Sequence, residues 1–171
     1  MKNSEVFKYL PKGIHYFLIT SPKNIRFLTG FTGDWSVLLL SRRNKYLLTD
    51  SRFTEQAGKE SSDCIIVAVT KTISSSLKSL IRKTKKVAYE ENSLRYGQYR
   101  GIKKILKQRS FIPTSGIIER FRLLKTKNEI NYLSRAAKIA DIGFREICKS
   151  IRAGKREIEI ASELEYILSS V

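Results

Sequence analysis

Strand-like and helix-like apolar patterns alternate along this chain of 171 residues, and that alternation constrains the fold more than any other feature. Ile14 to Ile19, Ser36 to Leu40, Lys45 to Thr49, Cys64 to Val69, Val87 to Tyr89 and Ser110 to Ile112 read as strands, the last stopping before Pro113. Between them Ser4 to Leu10, a segment from Pro22 to Gly30, Ser51 to Gly58, Ser74 to Arg82 and Leu94 to Leu106 read as helices. Val37 to Leu40 is too uniformly apolar to leave one face in water. The polar stretch SRRN at Ser41 to Asn44 joins this run to the next as a hairpin. The fold class expected is α/β: a mixed β-sheet flanked by helices and followed by a C-terminal helical pair.

The helical pair is read from its spacing. Ile130, Leu133, Ala137, Ala140, Phe144, Ile147 and Ile151 recur at steps of three and four, with Lys138, Asp141, Arg145, Glu146 and Lys149 opposite. Gly154 interrupts. A second helix carries Ile158, Ala161, Leu164, Ile167 and Leu168, with Glu157, Glu159 and Glu163 placed early, where the helix dipole favours carboxylates. The sequence up to Val171 holds nothing further to cover these faces. They are expected to bury against each other, the preceding domain or a second copy of the chain, with self-association or local disorder as the consequence.

A hydrophobic content of 42% supports a real core, and no run of about 18 apolar residues suggests a membrane span. The opening MKNSEVFKYLPKG lacks the apolar core of a signal peptide. Cys64 and Cys148 read as small buried hydrophobes rather than a disulfide scaffold, which fits a reducing cytoplasm. Charge is the exception to this ordinary composition, at +17. From Lys78 to Arg109 eleven basic residues face two acidic ones, Glu90 and Glu91, a net +9. Interleaving with Tyr96 and Tyr99 is a pattern that can bind nucleic acid. No nucleic-acid motif accompanies it, so the adopted reading is solvated helix faces, and nucleic acid is not expected as a partner.

Tests for catalysis within the chain come back empty. The single histidine, His15, lies inside a strand, and no phosphate-binding glycine loop occurs. Glu90 and Glu91 follow a strand, where they can mark a loop, and as adjacent residues they point apart, so shared acid–base work is not expected. Two local signatures stand out instead. NIRFLTGFTGDWSVLLLS, from Asn24 to Ser41, sets Phe31 between Gly30 and Gly33 in a loop before a buried strand, presenting an aromatic on a permissive backbone. YLLTDSRFTEQA, from Tyr46 to Ala57, puts Asp50 at a helix start, where it can cap amides and pair with Arg52.

These residues resemble the amino-terminal domain of the creatinase, prolidase and Xaa-Pro aminopeptidase family. Phe27, Leu28, Thr29, Gly30 and Phe31 match its (Y/F)LTGF loop, and Asp50, Arg52, Phe53, Gln56 and Ala57 match its D-x-R-(Y/F)-x-x-Q-A segment. VAYEENSLRYGQYRGIKKIL is similar to a strand-then-helix segment of the family. Arg122, Lys125, Glu129, Ala137 and Ala140 fall on its interdomain link and first catalytic-domain helix. IRAGKREIEIASELEYIL resembles the segment that follows, with Ala153 where Pro is usual and Arg156 where Thr is usual.

The resemblance implies residues 1–118 as a creatinase-type amino-terminal domain and 119–171 as a link and the first helices of a catalytic domain. Family enzymes hydrolyse the bond before proline with two divalent metals, often manganese, held by two Asp, one His and two Glu. That ligand set belongs to a sheet expected beyond Val171, so this chain is expected to hold no metal or other cofactor and to be inactive alone. The resemblance further implies a homodimer, proline-containing peptides as substrates of the whole enzyme, and a substrate-access or partner loop with Phe31 and Trp35 as apolar walls and Asp34 as a polar contact. Asp50 and Arg52 are implied as a structural motif. The alternative is a free-standing interaction module whose basic face, Lys78 to Arg109, binds an acidic partner or nucleic acid.

Overall fold

The structure is a computed structural model that describes residues 2–81, 86–106 and 110–170. The chain divides into two compact units, Met1–Leu123 and Leu124–Val171.

Among the described residues of the first unit six strands form one sheet: β1 (Ile14–Ile19), β2 (Ser36–Ser41), β3 (Lys45–Thr49), β4 (Ile65–Ala68), β5 (Lys86–Glu90) and β6 (Phe111–Thr114), in the order β4-β3-β2-β1-β5-β6. The β1–β2 and β2–β3 pairs are antiparallel, while β3–β4, β1–β5 and β5–β6 are parallel, so the expected mixed sheet is present. Its helices are α1 (Asn3–Val6), α2 (Pro22–Thr29), α3 (Thr54–Glu60), α4 (Ile73–Leu80), α5 (Tyr96–Leu106) and α6 (Ile117–Leu123).

The uniform apolarity of the central strands follows from cover on both faces. Registered neighbours Phe17, Leu40 and Ala88 point to one side, where Ile25 and Leu28 of α2, Ala57 of α3 and Ile118 of α6 close the core. Leu18, Leu39 and Val87 point to the other, under Leu77 of α4 and Ile102 and Leu106 of α5. Each fully buried Leu or Phe contributes about 1.5–3 kcal/mol, and a one-residue slip of any central strand would exchange the two faces.

Several boundaries differ from the sequence reading. The first helix makes only one turn, Asn3–Val6, and the chain then bends while still burying Phe7 and Leu10. Ser51–Phe53 is a 3-10 turn, with α3 starting after it. Helix α4 begins one residue early because Thr72 and Ser75 form a reciprocal cap, and it ends at Leu80, where Ile81 turns extended, short of the expected Arg82. Leu94 belongs to a turn, its N–H bonded to the Glu90 carbonyl, and α5 starts at Tyr96. Pro113 does not end its strand. It lies within β6, which among the described residues pairs only with β5, and an edge strand tolerates a residue without an N–H. Cys64 is half-buried, but Cys148 is exposed rather than buried, because it lies on the solvent side of its helix.

The second unit is a pair of helices, α7 (Lys127–Ser150) and α8 (Glu157–Ser169). Thr126 and Glu129 cap the first reciprocally, the Thr126 N–H donating to the Glu129 carboxylate at 2.8 Å. At Gly143 the two helices approach so closely that a Cβ would lie 2.6 Å from Leu168 Cδ2. Gly143 and Ile147 are the buried residues of α7. Ile130, Leu133 and Phe144 of the expected apolar face remain 54%, 58% and 69% exposed, so α8 covers only part of that face.

Candidate functional site

The two sequence signatures meet in space at the loop between α2 and β2. The Phe31 ring is only 2% exposed and packs edge-on against Phe53, with centroids 6.4 Å apart. Gly33 lies over that ring: a Cβ there would sit 2.4 Å from Phe31 Cζ, so only glycine fits. The loop is also tied down by hydrogen bonds. The Thr32 N–H donates to the Glu60 carboxylate at 2.7 Å, and Gln56 Nε2 donates to both Thr32 Oγ1 and Glu60. These donors, Gln56 first, hold the Glu60 carboxyl below its ordinary range.

Phe31 is therefore an anchor within this unit, not a wall presented to solvent. The accessible part of the loop is Thr32, Asp34 and the half-buried Trp35, whose carbonyl accepts from Thr49 Oγ1 at 2.6 Å. Asp50 accepts from the Arg52 N–H at 3.0 Å and pairs with its guanidinium at 2.7 Å. The Arg52 side-chain bond holds the Asp50 carboxyl below its usual value, and Arg52 in turn lies over the Phe53 ring. Asp50 and Arg52 thus brace the turn that carries Phe53.

A second polar centre was not visible in the sequence. At the carboxyl ends of β1, β5 and β6 a cavity of about 150 Å³ is lined by Ser21, Ser93, Thr114, Glu90 and Glu119, among others. Glu90 is buried. Its carboxylate accepts from the N–H groups of Thr20 and Ser21, each at 2.8 Å, and from Asn24 Nδ2 at 2.6 Å. The same Asn24 amide donates to Glu119, while its oxygen accepts from Arg122 at 3.0 Å. Burial still raises the Glu90 pKa despite these donors. The carboxyl ends of parallel strands are a usual place for ligands, but here the polar groups satisfy one another and join α2, β5 and α6. No local pattern announces partners 66 to 98 residues apart.

His15 is exposed, and its Nδ1 accepts from the Lys86 N–H at 3.4 Å. Among the described residues no group of three or more His, Cys, Asp or Glu is placed to hold a metal ion, so the residues present do not fit a two-metal centre. No described helix is long and apolar enough to cross a membrane. Of the basic stretch, Arg82, Lys83, Lys85, Lys107 and Arg109 lie outside the described residues. The remainder includes Arg100 and Lys103 on α5, beside Tyr96 and Tyr99.

Comparison with known proteins places this fold. The profile of the creatinase/prolidase N-terminal domain matches residues 11–124. The uncharacterized peptidase YqhT of Bacillus subtilis is 35% identical over 162 residues, covering 92% of this chain and 45% of that protein. Among solved structures, the Xaa-Pro dipeptidase from Bacillus anthracis superposes with a TM-score of 0.90 at 34% identity, over 99% of this chain and 48% of its own. The X-Pro aminopeptidase from Thermotoga maritima gives 0.81 at 31% identity, over 97% and 49%. The chain thus spans slightly under half the length of each of these relatives. With the profile matched over residues 11–124 and the fold shared over 99% of the chain, the chain belongs to the creatinase/prolidase N-terminal domain family.

Proposed function

We propose that this chain is the amino-terminal portion of a Xaa-Pro dipeptidase or aminopeptidase and has no catalytic competence alone. The observation that carries this reading is the asymmetry of the match, which takes in 99% of this chain but 48% of the Bacillus anthracis dipeptidase. On this reading residues 1–118 form the amino-terminal domain, and 119–171 form the link and opening helices of a catalytic domain. Hydrolysis of the bond before proline, and the two divalent metals that serve it, manganese by family resemblance, belong to the whole enzyme, working in the cytoplasm. The partly exposed apolar residues of α7 give the further domain a surface to cover.

The roles assigned to this portion are dimerisation and shaping of the substrate-access side. The loop from Thr32 to Trp35 suits them because it is held from below by Phe31 and from the side by Glu60, which leaves Asp34 and Trp35 pre-positioned for a partner or substrate. Asp50 and Arg52 act structurally by bracing Phe53.

The test uses the purified chain with manganese and a Xaa-Pro dipeptide. No turnover and no tight manganese binding are expected, and turnover would overturn the assignment. Light scattering after size exclusion should give a dimer that Trp35→Ala weakens; a monomer at all concentrations would remove the dimerisation role. Reading the coding sequence beyond codon 171 is the complementary check. Asp, Asp, His, Glu and Glu in that order support the assignment, whereas a stop codon favours the interaction module.

A further inference from the structure

The peptidase reading leaves unused the cationic and aromatic outer face of α5. Four rings on three elements cluster at this face, three of them partly buried. Tyr89 of β5 stacks on Phe111 of β6 with centroids 4.1 Å apart. Tyr99 of α5 packs against both, 5.6 Å from Phe111 and 19° from parallel, and 5.6 Å from Tyr89 with a tilt of 46°. Tyr96 lies outermost, 6.4 Å from Tyr99 and 22° from parallel, and is 73% exposed. Cations edge the open end: Arg100 lies 6.0 Å from the Tyr96 ring centroid, and Lys103 lies 5.3 Å from that of Tyr99 and donates to its hydroxyl at 2.8 Å.

The helical period explains the grouping. Positions 96, 99, 100 and 103 share one side of α5, whereas Ile102 and Leu106 face the core. The α5 sequence, YGQYRGIKKIL, contains no carboxylate. The inner three rings pack against one another, and Tyr96 and Arg100 lie at the exposed edge of that cluster. An aromatic face flanked by guanidinium and ammonium groups matches a ligand that alternates flat rings with anions.

The geometry points to this face of α5 as a binding platform for single-stranded nucleic acid, with a base stacking at Tyr96 and phosphates meeting Arg100 and Lys103. Charge complementarity alone would admit any polyanion, an acidic protein segment included. The exposed Tyr96 ring, stacked near Tyr99 with its outer side open, favours the base-bearing polymer, because carboxylates gain nothing from a ring face. The net charge of +17 adds long-range attraction for the same ligand.

The test is fluorescence anisotropy of the full chain with a labelled oligothymidine of about 12 nucleotides, measured between about 50 and 200 mM salt. Tyr96→Ala should weaken binding about tenfold and leave the salt dependence unchanged, while Tyr96→Phe should bind as the parent does. Arg100→Gln and Lys103→Gln should each lower the slope of log affinity against log salt by about 0.7. Thermal unfolding checks that Tyr96→Ala keeps its fold, as its exposure predicts. Absence of binding at the lowest salt would overturn the proposal, as would unchanged affinity in Tyr96→Ala. If polyglutamate displaces the oligonucleotide as well as unlabelled oligothymidine does, the face is a general anion surface and the nucleic-acid assignment fails.

Discussion

Gly33 has no room for a methyl group, and the loop it belongs to depends on that. With a Cβ 2.4 Å from the Phe31 ring, Gly33→Ala must lift either the loop or the ring from its place against Phe53. A loss of about 1–3 kcal/mol is expected in urea unfolding, as for other overpacked sites. Glu90 makes a different single-residue prediction. Its pKa is raised in the folded chain, so its protonated form is favoured there, and its contribution to stability declines as pH rises from the ordinary glutamate range through the folded value. Glu90→Gln should remove that decline from the pH profile. It should also cost about 1–3 kcal/mol near neutrality, because an amide cannot accept from Thr20, Ser21 and Asn24 at once. Cysteine reactivity separates the two thiols: burial, with help from the Asp63 carboxylate, pushes Cys64 up to about 12. Iodoacetamide near neutral pH should therefore modify exposed Cys148 in the folded chain and reach Cys64 only on unfolding, with intact mass as the readout.

Among the elements, α6 depends on one buried amide. Asn24 links Glu90 of β5 with Glu119 and Arg122 of α6, so Asn24→Ala should leave several polar groups unpaired and speed hydrogen exchange across Ile117–Leu123 before the sheet is affected. That link also marks the limit of what the sequence discloses. Strands β1, β2 and β3 were legible because two covered faces demand uninterrupted apolar runs, and α7 because its period of three and four repeats over six turns. The Asn24 network was not, since polar partners far apart in sequence leave no period behind. The burial of Phe31 is hidden from the sequence for a related reason. Its neighbours Gly30 and Gly33 signal a loop, and loops usually lie on the surface, but nothing local reveals that Gly33 is small in order to let the ring pass beneath it. Pro113 was read by its usual role as a breaker, which holds in a sheet's interior and lapses at its edge.

Across the whole molecule, a charge of +17 repels itself, so added salt up to about 0.5 M should raise the melting temperature rather than lower it. A fall on adding salt would mean that attractive surface pairs such as Lys59–Glu55 outweigh the repulsion. The apolar residues left open on α7 bear on association in the same way. Leu133→Lys with Phe144→Lys should reduce any concentration-dependent mass seen by light scattering, because those side chains remain mostly exposed on the helical pair. Where copies cannot meet is already written into β6. The Ser110 and Thr114 carbonyls accept from β5, so the alternate residues Phe111 and Pro113 turn their backbone groups outward, and at Pro113 no hydrogen is available there. A strand from another molecule laid along that margin would lose a ladder bond at its centre, so the sheet resists fibrous growth on that side.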